Sequence, residues 1–520
     1  MSKKVFEHPA AQAGEPTGPS YWRSLDERNK SPEFRTRAER EFLDGASAIS
    51  AVERREFLML MGASFGLAGL GLAGCREPRN HTLPYAKQPE NTIPGVATYY
   101  ASSFPGEFAN QPILVETHQH RPTKIEGNPS HRANGGASSK FAQASVLDMY
   151  DPDRAQASLA ADGSVLSVAS ARNFLRGLAT DAKADAGAGL AFLARPSTSP
   201  TRARLVAALK AAYPQARWVE YTPVAQNRAD AVLGARALPD YAKARRVLSL
   251  DRDFLGAHDA TVEDTRAYSS ARRADTAAEA EKMTRLYVVE SVFSLTGAAA
   301  DHRLRASSSH ISGLAILFAA EVLAQKGSAD AAALKGKVSG INVDAKWVTE
   351  CVADLVKAAK GEALIVAGDH LSADAHRAVF LANQALAAAV KYVAAPAPAS
   401  PTIAALVAQP AKTLVILGGN PVYDAPADVN FSAAIQAAKK VVRLGYHGPS
   451  FDETSAAVKA AAGTFLASSH YLESWSDGRT LDGAYVPVQP MIDPLFATVT
   501  ELDVLAPFAG SDKEPHALVR

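Results

Sequence analysis

From about residue 165 onward, short apolar runs alternate with helix-forming runs, and this alternation restricts the chain to parallel sheets covered by helices on both faces. GLAFLAR (189–195), RRVLSLD (245–251), RLYVVES (285–291), EALIVAG (362–368), KYVAA (391–395), TLVILGG (413–419) and VVRLG (441–445) read as strands. ISGLAILFAAEVLAQ (311–325) and SADAHRAVFLANQALAAAV (372–390) read as helices between them. Ser199 before Pro200 opens another helix, since serine caps its first amides and proline suits its first position. Sheets of this kind bind ligands beyond the carboxyl ends of their strands, so the loops after Gly368, Gly418 and Leu444 are the places to look.

The 520 residues are 47% hydrophobic and 21% charged with a net charge of +1, which describes a globular chain without the basic field that nucleic acid requires. That length suits about three domains or two large lobes. Cysteine occurs only at Cys75 and Cys351. Cys351, inside the apolar helical run WVTECVADLVKAAK, reads as a small buried hydrophobe. Two thiols cannot hold a 4Fe-4S cluster, which takes four.

Near the amino end, VERREFLMLMGASFGLAGLGLAGC (52–75) joins an arginine pair, Arg54-Arg55, to an uncharged apolar stretch and a cysteine. The pair before Phe57 and Leu58 has the form of a twin-arginine export signal, although Glu53 and Met59 depart from the usual pattern. Leu-Ala-Gly-Cys has the form of a lipoprotein box, which makes Cys75 the candidate for lipidation. An uncleaved anchor is the competing reading, because the run Phe57 to Gly74 would span roughly 27 Å as a helix.

These signals divide the chain. Residues 1–50 form an extended amino-terminal region expected to be partly disordered, and 51–75 the signal. Residues 76–165 begin as a proline-rich strap, to about Ser102, and continue into a compact region with strand-like PILVETH and PTKIEG. Residues 166–520 form the α/β region, expected as two lobes.

Candidate chemistry is sparse. Gly418-Gly419-Asn420-Pro421 directly follows a strand, where glycines let backbone amides approach a phosphate; a plain strand-to-helix turn is the other reading. His118 and His120, with His131, Glu116 and Glu126, suggest a metal only if the first two share a strand face, and no third ligand stands at a diagnostic spacing. Asp251 and Asp253, followed by His258, read either as an acid-base group or as caps of a loop.

HRPTKIEGNPSH (120–131) and ASVLDMYDPDRA (144–155) resemble the amino-terminal part of molybdopterin oxidoreductases of the dimethyl-sulfoxide-reductase type. In that family a cysteine set holding a 4Fe-4S cluster surrounds this segment; here the upstream part reads TYYASSFPGEFA and the last cysteine falls at Ser138 or Ser139. LVILGGNPVYDAP (414–426) and GTFLASSHYLESWSDGRTLDGAYVPVQPMIDPLF (463–496) resemble the family's cofactor-side loop and its segment near the pterin, without the Ser or Cys pattern of a molybdenum ligand. A narrower resemblance covers most of the chain: YWRSLDE, the late twin-arginine segment, MTRLYVVESVFSLTGAAADHRLR (283–305) and HYLESWSDG (470–478) are similar to the B subunit of bacterial alternative complex III.

The resemblance implies an α/β, molybdopterin-oxidoreductase-like fold of doubly wound, Rossmann-like sheets. It implies no catalytic site, metal or cofactor in this chain, with Gly418, Gly419, Asn420 and Pro421 as vestigial candidates only. The 4Fe-4S and 3Fe-4S clusters would belong to a carboxyl-terminal half or partner, since the chain stops at HALVR without a cysteine-rich segment and is expected to be truncated or split. Expected partners are an integral-membrane quinol-oxidising subunit, multihaem cytochrome c subunits and an iron-sulfur domain, on the periplasmic face of the inner membrane. Two further readings are an active molybdopterin-dinucleotide oxidoreductase subunit and a lipid-anchored periplasmic binding protein.

Overall fold

The computed structural model describes residues 28, 29, 31, 32, 34, 90, 93–224, 228–256, 261–394 and 402–520. The chain divides into two units, Met1–Gln88 and Pro89–Arg520, and the elements named here belong to the second. Arg54, Arg55 and Cys75, with the export and lipidation readings, lie outside the described residues.

Strands β1 (Thr98–Phe104), β2 (Gln111–His118) and β3 (Arg121–Gly127) make an antiparallel sheet. The end of the expected strap is therefore a strand. β4 (Ser158–Leu159) and β5 (Val165–Leu166) pair as a short hairpin, so a division between residues 165 and 166 falls inside a ladder. There follow β6 (Leu190–Ala194), β7 (Arg217–Glu220), β8 (Ala235–Pro239), β9 (Arg246–Leu250), β10 (Arg285–Glu290), β11 (His302–Arg305) and β12 (Ala363–Ala367). The last six are β13 (Val390–Ala394), β14 (Thr413–Leu417), β15 (Lys440–Gly445), β16 (Thr464–Ala467), β17 (Ser476–Arg479) and β18 (Tyr485–Val488).

Two sheets carry the architecture. The larger has the order β5-β4-β16-β15-β14-β6-β7, and its five strands from β16 to β7 run parallel. The smaller, β11-β10-β9-β12, is parallel throughout. Both are buried on two faces, which is why their strands read as continuous apolar runs. In the larger sheet Phe192, Val415 and Leu444 enter one core while Leu193, Ile416 and Val441 enter the opposite one. The smaller sheet sends Leu248, Val289 and Ile365 one way and Val247, Val288 and Leu364 the other. The KYVAA strand departs from expectation: β13 pairs antiparallel with β8, a strand whose mixed sequence ARALP gives little signal.

Helix Ser308–Gln325 is apolar on nearly all sides and packs Ile311, Leu314, Phe318 and Val322 into the core of the smaller sheet. Helix Ala373–Leu386 ends earlier than its sequence pattern, because Ala387 takes a left-handed φ of 47° and the chain turns into β13. Cys351, on helix Ala345–Lys357, is fully buried, and burial pushes its thiol well above the ordinary range. It should escape iodoacetamide in the native protein and react once the chain is unfolded in urea, as read by mapping its peptide. Native-state labelling at Cys351 would contradict its burial.

The antiparallel front sheet is fastened to the carboxyl-terminal segment. Ser102 Oγ and Ser103 Oγ donate to the carbonyls of Gln489 and Pro487, while Leu472 joins Ile113, Val115 and Ile125 in one small core. Beneath this core Arg154 and Glu473, both with fully buried side chains, form a bidentate ion pair. The guanidinium is flanked by the rings of Tyr446 and Phe496, at 5.0 and 5.4 Å from their centroids. Glu473 also accepts from the amides of His470 (2.9 Å) and Leu495 (3.0 Å). Nearby, Asp477 accepts from Thr201 Oγ1 at 2.6 Å and from the helix-capping Ser199 hydroxyl, so β17 seats helix Pro200–Ala212.

Candidate functional site

The strand order of the larger sheet creates one crevice. From β6 the chain moves outward to β7, then returns on the other side of β6 as β14 and proceeds to β15 and β16. The loops leaving β6 and β14 therefore diverge, and ligands of doubly wound sheets lie at such a switch point. Leu417 pairs with Ala194, which puts Gly418 beside Arg195. A cleft of ≈ 320 Å³ opens there, lined by Arg195, Gly418, Gly419, Arg443, Tyr446 and Asp452 among others.

Gly418 and Gly419 both take left-handed φ, 69° and 67°. This turns their carbonyls toward Arg443, a strand residue only 2% exposed, whose guanidinium donates to Gly418 O at 2.6 Å, to Gly419 O, and to Asp452 at 3.1 Å. Burial pulls the Arg443 guanidinium below its ordinary value and Asp452 opposes that pull. Arg195 is paired with Asp424 at 2.5 Å and lies 3.7 Å from Glu107. Asn420 accepts from the Thr454 amide and hydroxyl and donates to Glu453, while Pro421 starts the helical turn Pro421–Asp424. The loop is thus both a strand-to-helix turn and one wall of a cleft.

The two glycines differ in surroundings. A Cβ on Gly418 meets open space, whereas one on Gly419 would lie 2.8 Å from Arg195 Nε. Gly418→Ala should therefore cost only the backbone strain, about 1–2 kcal/mol. Gly419→Ala should cost more, because Arg195 must also shift from Asp424. Urea midpoints of the two variants check the order.

The smaller sheet has its own switch point, between β9 and β12. There Asp251, at φ 51°, accepts from Ser291 and contacts His370 Nε2 at 3.0 Å. Asp253 accepts from the Thr296 amide (3.0 Å) and hydroxyl (2.7 Å). Both aspartates act as loop caps; His258 lies outside the described residues.

The histidines near residue 120 do not converge. β2 ends at His118, and Gln119 and His120 form a two-residue turn at φ 49° and 66°, so His118 and His120 do not share a strand face as the alternation suggested. His118 contacts Glu116 at 2.9 Å, Glu126 pairs with Lys124, and His131 Nδ1 accepts from the Ala133 amide. Among the described residues no three His, Cys, Asp or Glu side chains are grouped to hold a metal ion. Ser139, one of the two positions at which the last cysteine of the resemblance falls, caps helix Lys140–Met149 through Ala142 N, and Ser138 Oγ accepts from Gln143.

Arg195 and Arg443 bring positive charge to the cleft, and neither stood out in the sequence. The available signal was an arginine inside the apolar run KVVRLG, where a buried charge needs partners.

Comparison with solved structures finds a similar fold in acetylene hydratase from Pelobacter acetylenicus, with a TM-score of 0.59 over 79% of this chain and 69% of that one at 12% identity. At that identity the likeness is one of fold alone, and the mixed α/β architecture with its parallel sheets agrees with the fold class expected. No family model and no curated protein sequence matches the chain.

Proposed function

We propose that this chain is a noncatalytic, molybdopterin-oxidoreductase-like lobe of a membrane-bound quinol-oxidising electron-transfer complex of the alternative complex III kind. It works by assembly: it offers surfaces to an integral-membrane quinol-oxidising subunit, to multihaem cytochromes c and to an iron-sulfur domain bearing the 4Fe-4S and 3Fe-4S clusters. Its place is the periplasmic face of the inner membrane, reached by the route that Arg54 and Arg55 address, with Cys75 as the candidate for lipid attachment.

The observation that carries this reading is the state of the switch-point cleft. A pterin dinucleotide brings a pyrophosphate, which needs free donors and net positive charge. Here Arg195 is engaged by Asp424 and Glu107, and Arg443 by Asp452 and the carbonyls of Gly418 and Gly419 in the neighbouring loop. Carboxylates outnumber guanidinium groups, so these residues do not fit that anion. Ser138 and Ser139, already bonded within the chain, offer no thiolate to a cluster.

One observation favours the second reading, an active dinucleotide-dependent subunit: Arg195 Nη1 and Arg443 Nε are buried without a hydrogen-bond partner. Analysis of purified full-length chain for pterin, molybdenum and iron separates the two. The proposal expects none in stoichiometric amount; any of the three at one per chain would overturn it. Deleting residues 89–520, the whole compact unit, should prevent assembly of the haem and iron-sulfur subunits into one complex. A complex that assembled without it would also contradict the proposal. Failure to co-purify with any redox subunit would favour the lipid-anchored binding protein.

A further inference from the structure

The loop that leaves β10 has its polarity inverted. In an ordinary surface loop polar side chains face water and apolar ones turn inward. Between Ser291 and Thr296 the reverse holds: Val292, Phe293 and Leu295 are 73%, 69% and 63% exposed. The polar residues between them point into the protein. Ser291 donates to Asp251 through its amide (3.2 Å) and hydroxyl, and Ser294 Oγ donates to Glu290 at 2.5 Å. Thr296 donates to Asp253 through both its amide and its hydroxyl. Glu290 is only 2% exposed and is itself paired with Arg303 at 2.5 Å, and the Arg303 guanidinium lies 4.8 Å from the Phe293 ring centroid. Three carboxylates at the ends of β9 and β10 thus hold a short rigid tip with its apolar side chains outward.

We infer that Val292, Phe293 and Leu295 form a wedge that inserts into the surface of an anionic phospholipid bilayer. A protein partner fits the tip less well. A stable protein interface buries roughly 800 Å² on each side, and three exposed side chains on a short loop offer on the order of a few hundred. Shallow insertion of a few apolar side chains, flanked by cations, is instead a usual second signal for a membrane-associated protein. Arg305, exposed and the register partner of Glu290, supplies a cation at the root of the tip, while Arg303, paired with Glu290, packs its guanidinium against Phe293 and keeps that ring outward. The inference stands whether or not the chain belongs to a quinol-oxidising complex.

The test uses the full chain and vesicles of phosphatidylethanolamine mixed with phosphatidylglycerol. A Phe293→Trp variant should be quenched by brominated acyl chains well beyond the quenching of the native tryptophans. Phe293→Asp combined with Leu295→Asp should weaken vesicle binding about tenfold if the wedge is the main contact. Because the apolar run at 57–74, if retained, would add its own membrane affinity, the quenching experiment decides. Added quenching at position 293 supports the wedge. Vesicle-bound protein whose Trp at 293 is not quenched, or protein that does not bind the vesicles, overturns it. Loss of association with a protein subunit in the Asp variant, without lipid quenching, would assign the tip to a protein socket.

Discussion

Glu473→Ala should destabilise the folded chain by about 3–5 kcal/mol. The magnitude follows from what is left behind. The Arg154 side chain has no exposure, and its Nη1 and Nη2 both reach Glu473, so removal of the carboxylate strands a desolvated cation between two aromatic rings. Two backbone amides, those of His470 and Leu495, lose their acceptor as well. Replacing both members, Arg154→Met with Glu473→Leu, should recover most of that loss, since an apolar pair of similar volume leaves no buried charge. Urea unfolding of the single and double variants measures this. A loss below about 1 kcal/mol for Glu473→Ala would mean the pair is hydrated in solution.

Acid should weaken the same region before it touches most carboxylates. Burial, reinforced by the neighbouring Arg154, holds the His470 imidazole down at about 4, against about 6.5 for an unfolded histidine. The folded chain keeps this ring neutral, and the unfolded chain takes up a proton. Its contribution is therefore complete above pH ~6.5, falls as pH drops, and is gone below pH ~4. Between pH 7 and 5 the expected loss is about 2 kcal/mol from this residue. Glu473 does not confuse the window: burial pushes its carboxyl up, but Arg154 and the two amides outweigh that and leave it below its ordinary value, so it titrates at lower pH. His376 is also lowered by burial and adds to the wild-type loss. The difference between wild type and His470→Asn, whose amide oxygen can keep the contact with Leu472 N, isolates the residue. Equal slopes of stability against pH for the two proteins would show that His470 is hydrated.

What could be read from the sequence depended on range. β6, β9, β10, β12, β14 and β15 were legible because strands buried on both faces leave unbroken apolar runs, and the stop of such a run at Gly418-Gly419 marked the loop at the switch point. β8 was not, since its residues are all half-buried and end in proline. The early end of helix Ala373–Leu386 was hidden too, because three further alanines continue its pattern although Ala387 turns left-handed. The cleft's charges needed topology: Arg195 faces Gly419 only because β6 and β14 are adjacent, across more than two hundred residues of chain. Likewise Arg154 and Glu473, separated by 319 positions, each sit in a segment that resemblance had singled out, yet nothing local in either predicts their pairing.

If the chain is exported, helix Ser308–Gln325 bears on the route it can take. Its 18 residues have a mean hydropathy of 1.2, enough in length and composition to span a bilayer. A translocation channel that threads an extended polypeptide would present those residues to lipid one turn at a time, with nothing yet packed against them, and lateral release would strand the protein midway. Carried through already folded, as a twin-arginine route would do, the same residues stay against the smaller sheet and the membrane never reads them. The core of the domain would then have set the choice of exporter, and the arginine pair would be its consequence.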